Sequence, residues 1–430
     1  MQISRETKRQ FIIHAAIIAA GVAVVEAVLA VLAGGRPDML HLLWWREVAE
    51  VQAEHGFFNV WTPYPPVFPT LFYVATRIIP ADYLETVWIG VNFLLMLASA
   101  LLVFLIAWIL TPGERDARLS RGLLAGLVFL MVLWRQSGFV LLGPWLDHFD
   151  YLPMLLLLLG FLLLILRYEK ASAIVCGIGV MTKIFPFVLV LAAPAVLGVK
   201  RSLKYAAIAA ATCVVIAAPF AIANWEMFAS TWQFAINRPA WESIWAYLMP
   251  AVGIKDPLLN MRAILDPAIF AEAFHMQYHG GVINNIATYV TLPFMLALPA
   301  GAAFLLARRP NHPRETARGV LLMLAIVMLF AKGFSLHFIV WIIPLICVVY
   351  PPAAAFGLCA ALVVLGNITA AGFIARNAQV YGPSEAVERF AILGPPYFVS
   401  WFSIFMRQAV LLIIGIQQTE RLLNSREATK

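Results

Sequence analysis

The chain alternates long apolar blocks with shorter polar joints. The blocks run over roughly 11–33, 84–110, 122–142, 151–166, 173–198, 205–223, 285–307, 319–331, 336–350, 353–372 and 398–416. A hydrocarbon core roughly 30 Å thick needs about 20 apolar residues per spanning helix. The pattern therefore predicts an all-α polytopic membrane protein, a bundle of about 11–12 transmembrane helices. The first block, Phe11 to Ala33, follows Arg5, Lys8 and Arg9 and has no small-residue cleavage site, so it is read as an uncleaved spanning helix. Two places break the regularity. Block 173–198 holds Lys183 and Pro186 in its middle, and blocks 319–331 and 336–350 are each short and meet at Lys332-Gly333. Both are expected to be pairs of short helices that turn back within the membrane, which irregular backbone tolerates only beside protein or a water-filled cavity.

Composition agrees with lipid as the solvent: 62% of the 430 residues are hydrophobic, 12% are charged and the mean hydropathy is +0.86. No stretch is polar enough for a separate soluble domain, so residues 1–430 are read as one integral membrane domain. Placement of charge gives its orientation. Of the 30 Lys and Arg, 18 fall in six clusters, around residues 5–9, 115–121, 167–170, 200–204, 308–318 and 421–430. Cytoplasmic loops collect these residues. Both termini are therefore expected in the cytoplasm, leaving three long outer connections at about 34–83, 224–284 and 373–397. Cys176, Cys213, Cys347 and Cys359 all lie in apolar blocks and make no metal-spaced pair, so they are read as small buried hydrophobes.

Chemistry gathers at the outer boundary. The first outer loop opens with Arg36-Pro37-Asp38 and continues at helical spacing through Trp44, Trp45, Arg46, Glu47 and Glu50, as in a helix lying in the membrane interface. Asp38, at its head, is placed where a carboxylate meets a lipid-linked substrate; Glu47 and Glu50 also suit a plain solvated face. The rigid turn around Tyr64, Thr62 to Pro69, leads into a short apolar helix. Asp147, His148 and Asp150 form a second acidic turn, for which helix capping by Asp150 is the plain alternative. Arg238, Trp241 and Glu242, in the longest outer loop, suit a phosphate or a sugar ring, or a simple surface ion pair. Lys332 and His337 flank the later break, where an intramembrane charge is a functional candidate by default.

Taken in order, these features are an acidic first outer loop, Tyr64-Pro65-Pro66-Val67-Phe68, His148-Phe149-Asp150-x-x-Pro153 and Lys183-x-x-Pro186. They continue with Arg238-x-x-x-Glu242-Ser243 and Lys332-x-x-Ser335-x-His337-x-x-x-Trp341-x-x-Pro344. The series resembles the GT-C superfamily of polyprenol-phosphate-sugar-dependent glycosyltransferases. It is most similar to bacterial α-mannosyltransferases related to phosphatidylinositol-mannoside synthesis and to the first mannosyltransferase of GPI-anchor assembly. The resemblance implies a GT-C-like bundle and an inverting transfer of mannose from polyprenyl-phosphate mannose to a lipid-linked or glycan acceptor. It places the work on the outer face of a bacterial cytoplasmic membrane, in a metal-independent or weakly metal-dependent transfer with no cofactor, the polyprenyl-phosphate sugar being a donor substrate. It implies a first-loop carboxylate as base, at Asp38. Here Met39, Leu40, His41 and Leu42 follow instead of the family's nearby Asp or Tyr, so the choice between Asp38 and Glu47 stays open. Arg238, Lys332 and His337 are the expected contacts of the donor phosphate. Asp147, His148, Asp150, Tyr64, Trp241 and Glu242 are the expected substrate contacts. Partners are then the lipid-phosphate donor, the acceptor and membrane lipids, not nucleic acid.

A secondary transporter also uses broken helices and intramembrane charges, but would repeat its hydropathy in two halves, and no such repeat is seen here. A lipid-linked oligosaccharide ligase or polymerase, with a pyrophosphate donor, is the nearer alternative.

Overall fold

Each apolar block that falls within the described residues is helical. The computed structural model describes residues 40–137, 149–237, 281–308, 312–333, 338–376 and 397–424, with Arg9, Ser243 and Trp245. Block 11–33 and most of the connections 238–280 and 377–396 lie outside them. Among the described residues the regular structure is fourteen α-helices and two 3-10 turns. Helices α1 (Leu40–His55) and α2 (Val67–Ile78) occupy the first long connection, with a 3-10 turn at Phe57–Asn59 between them. Then follow α3 (Ala81–Leu110), α4 (Arg115–Ser137), α5 (Tyr151–Ile165), α6 (Glu169–Val180), α7 (Val188–Leu197) and α8 (Val199–Ala223). The series ends with α9 (Trp225–Asn237), α10 (Gly281–Ala307), α11 (Pro313–Phe330), α12 (Ile339–Val349), α13 (Pro352–Arg376) and α14 (Tyr397–Asn424). Helices α8 and α11 each begin six residues before the expected apolar block. They take in Lys200, Arg201 and Lys204, or Arg314 and Arg318, because these side chains form helix well and reach out from an apolar stem.

The expected break in 173–198 is present. Helix α6 ends at Val180, a 3-10 turn covers Phe185–Phe187, and α7 returns antiparallel, with the Cys176 thiol donating to the Pro186 carbonyl at 3.5 Å. The second break lies between α11 and α12. All eleven residues of α12 are buried, as suits a helix apolar on every side. It packs centrally against α3, α4, α5, α11 and α13.

Polar contacts fix two ends of the bundle. At one, Arg121 near the start of α4 caps carbonyls at the end of α12, the Tyr350 hydroxyl meets Gln417 and Gln418 late in α14, and Arg201 of α8 pairs with Glu169 of α6. The described basic clusters collect here. Opposite lie the start of α5, the α6–α7 turn and the start of α12. At 1.5 Å per residue, α7 and α12 are only about 15 and 16 Å long, against about 45 Å for α3. The short helices thus stop about half a hydrocarbon core from the basic end.

Among the described residues, four helices are long and apolar enough to cross a membrane: α3, α8, the Ile286–Ala307 part of α10 and the Trp401–Asn424 part of α14. The outward faces of α8 and α10 are apolar too, with Val215 72%, Ile222 85% and Leu296 65% exposed. Uncovered apolar faces of this size match lipid rather than water. Elsewhere small residues let helices close in, at Gly177 against the Ala209 carbonyl and Thr212 and at Gly319 against the Leu306 side chain.

Candidate functional site

Helix α6 ends because its last turn closes on itself: the Met181 amide donates to Gly177, and the Thr182 and Lys183 amides both donate to the Gly179 carbonyl. Pro186, which has no N–H to give, restarts the chain in a 3-10 turn, where that loss is harmless. Lys183 is thereby set between two short helices, 7% exposed. Its Nζ donates to Asp150 Oδ1 at 2.7 Å, and the Trp341 indole N–H donates to the same oxygen at 2.7 Å. Asp150 itself is 1% exposed.

Four rings surround the ammonium, with centroids 5.3 Å (Tyr64), 5.0 Å (Phe149), 4.8 Å (Phe338) and 4.8 Å (Trp341) away. The Trp341 indole is held by stacking on Phe185 at 4.1 Å and on Phe338 at 4.1 Å. A buried ammonium needs a counter-charge, and ring faces add attraction where water is excluded. The result is an ion pair with an aromatic wall at the inner ends of short helices.

The first outer connection is tied to this centre. The Val67 amide donates to the Met181 carbonyl at 3.0 Å, joining the Tyr64 turn to the α6–α7 break. Tyr64 meets Phe149 edge-on at 4.7 Å, and Phe68 stacks on Phe149 at 3.8 Å. Thr231 of α9 donates to the Thr62 carbonyl at 2.8 Å. Beside Tyr64 a cavity of about 30 Å³ is lined by Gln52, Thr62, Asn224 and Thr231 among others, room for about one water.

Of the residues singled out in the sequence, Asp150 and Tyr64 come together here. Asp150 is not the helix cap considered above. Its backbone is already in the right-handed helical region (φ −61°, ψ −18°), its side chain makes no capping bond, and Lys183 and Trp341 take the carboxylate instead. Glu47 is exposed on α1, whose opposite face buries Trp45, Val48, Ala49 and Gln52. Its neighbours Arg46 and Glu50 pair at 3.1 Å, so this is a solvated face. Lys332 is 7% exposed at the second break and donates to Thr288 Oγ1 at 2.7 Å. Its carbonyl accepts from Ser243 at 2.5 Å, which brings the longest connection to this break five residues beyond Arg238. Asp38, Asp147, His148, Arg238, Trp241, Glu242 and His337 lie outside the described residues.

Trp341, Phe149 and Phe338, which touch Lys183, and Phe185, which stacks on Trp341, were not among the sequence candidates. A signal existed: each lies within two residues of a break or helix start, and a Trp in an apolar block must find an acceptor for its N–H. No group of three or more His, Cys, Asp or Glu able to hold a metal occurs among the described residues. Comparison with family models, curated proteins and solved structures finds no match for this chain.

Proposed function

We propose that the chain is a membrane glycosyltransferase that moves a sugar, mannose by the resemblance, from a polyprenyl-phosphate donor to a lipid-linked or glycan acceptor on the non-cytoplasmic face. One observation carries the reading. Four short motifs, the Tyr64 turn, Phe149-Asp150, Lys183-x-x-Pro186 and Trp341-x-x-Pro344, meet around one buried ion pair although they span nearly 300 residues of sequence. Each is short and weak alone, and a shared site gives their order a reason.

In this reading the Lys183–Asp150 centre is a positioning device. It pins the chain that precedes α5, which carries Asp147 and His148, and through Val67 and Met181 it pins the first outer connection headed by Asp38. Asp38 is the proposed base that takes the proton of the acceptor hydroxyl as its oxygen attacks the anomeric carbon. The phosphate leaves with negative charge, which Arg238, Lys332 and His337 are proposed to stabilise at the bilayer boundary. Tyr64, Asp147, His148, Trp241 and Glu242 are the proposed substrate contacts, and both termini are proposed to lie in the cytoplasm.

The test is transfer from radiolabelled polyprenyl-phosphate mannose to candidate glycolipids by the purified protein in detergent or vesicles. Transfer is expected for the wild type and its loss for Asp38→Asn, with unfolding temperature and donor binding unchanged. Absence of transfer from every polyprenyl-phosphate sugar offered would remove the reading. A buried Lys–Asp pair between broken helices also favours a transporter. Solute accumulation in proteoliposomes without any donor would select that alternative.

A further inference from the structure

A second polar site lies at the basic end of the bundle, away from Lys183. A cavity of about 550 Å³ opens there between the end of α3, the starts of α4, α11 and α13, and the end of α14. Four arginines line it: Arg121, Arg314, Arg318 and Arg421. They are drawn from three helices and 300 residues of sequence, and no carboxylate lines the cavity among the described residues.

Two of them keep a donor without a hydrogen-bond partner among the described residues. Arg121 spends Nη2 on the Cys347, Val348 and Tyr350 carbonyls, while its Nη1 is buried with no hydrogen-bond partner among the described residues. Arg318 pairs with Glu315 through Nη1, and its Nε is buried and likewise unpartnered. Arg421 stands 5.6 Å from the Tyr350 ring centroid, and Arg314 is exposed. Arg314 is close enough to both Arg121 and Arg318 for their charges to repel, as is Arg421 to Arg318. Helices α11 and α13 also begin at the cavity edge, each with a proline in its first turn, so their positive dipole ends add to the field. The rest of the wall, including Leu110, Val348 and Pro351, is apolar.

Membrane orientation requires positive charge at this end. It does not require four guanidiniums around one cavity with buried, unsatisfied N–H groups. A guanidinium fork matches a phosphate through two parallel hydrogen bonds, and basic pockets between membrane helices suit anionic headgroups. We infer that this cavity is a binding site for a phosphate-bearing anion. Two sources offer that chemistry, an anionic lipid headgroup, whose first acyl carbons would meet the apolar wall, and a free phosphate compound. The inference is independent of the activity proposed above.

The experiment is thermal unfolding of the full chain in non-ionic detergent with added phosphatidylglycerol, phosphatidylcholine or inorganic pyrophosphate. Phosphatidylglycerol or pyrophosphate is expected to raise the midpoint saturably, while phosphatidylcholine does not. The double variant Arg314→Gln/Arg421→Gln changes exposed residues and should fold. It should need about ten-fold more ligand or higher for the same shift, as lost charged hydrogen bonds imply. Arg115→Gln/Lys200→Gln removes the same charge from exposed positions at this end but outside the cavity, and should respond like wild type. Saturation by phosphatidylglycerol alone identifies a lipid as the source, and saturation by pyrophosphate identifies a free anion. No saturable shift with either, or an equal loss in both double variants, overturns the site.

Discussion

Lys183 is buried where an unpaired ammonium would cost several kcal/mol, and Asp150 and four ring faces surround it. Breaking such a pair from one side costs more than removing both charges. Lys183→Met is therefore expected to destabilise by about 3–5 kcal/mol, since it leaves the buried Asp150 carboxyl without its counter-charge. Lys183→Met with Asp150→Asn should recover most of that loss. Asn keeps a side-chain oxygen for the Trp341 N–H, so the indole is not stranded. Denaturant unfolding of the two single variants and the double variant in mixed micelles measures the coupling; strict additivity would mean that the pair contributes nothing jointly. The charge itself was legible in the sequence, because a lysine inside an apolar block stands out. Its partners were not. Asp150 is 33 residues from Lys183 and 191 from Trp341, and uniform apolar blocks carry no register that says which faces meet. Asp150 invited a capping interpretation because acids favour helix starts, but the ion pair took its carboxylate.

At the scale of elements, the helices of the apolar blocks followed from block length and the interruptions at Lys183 and Lys332, whereas α9 lies in the connection 224–284, for which no helix is expected from the pattern. What the blocks could not show was distance between helices, which is set by glycines whose neighbours come from elsewhere in the chain. Helix α6 ends at the Lys183 turn, so its spacing from α8 also positions the site. A Cβ on Gly177 would lie 2.6 Å from Thr212 Cβ and 2.7 Å from the Ala209 carbonyl oxygen, neither of which can swing away. Gly177→Ala is expected to cost about 1–3 kcal/mol by overpacking, despite the better helix propensity of alanine. Gly301 in α10 has nothing within 4 Å of the same added atom. Gly301→Ala should be neutral or stabilise by up to about 1 kcal/mol. Thermal midpoints in detergent compare them, and equal behaviour of the two variants would contradict close α6–α8 contact.

For the whole molecule the organising feature is polarity along the bundle axis: arginines and lysines at one end, the Lys183–Asp150 centre and both helix breaks toward the other. Helix α8 is the ruler for that axis, about 37 Å from Val199 to Ala223 and barely covered by other helices. At its start, Arg201 pairs with Glu169 at 3.1 Å, so the α6–α7 hairpin begins and ends on the basic side. At its far end, Asn224 bonds Asn59 of the first long connection. His312, just before α11, belongs with the basic end, because Arg314 and Arg318 follow it into the arginine-lined cavity. Lys200, Trp225 and His312 are all exposed, so each can carry a reporter thiol. In a background with Cys176, Cys213, Cys347 and Cys359 replaced, Lys200→Cys and His312→Cys should react with a membrane-impermeant thiol reagent from one side of sealed vesicles. Trp225→Cys should react only from the other. By the excess of positive charge, the side shared by 200 and 312 is expected to be the cytoplasmic one. If 200 and 312 label from opposite sides, an odd number of crossings separates them, and the basic clusters at 200–204 and 308–318 do not share one face. If 225 labels with 200, α8 does not cross the bilayer.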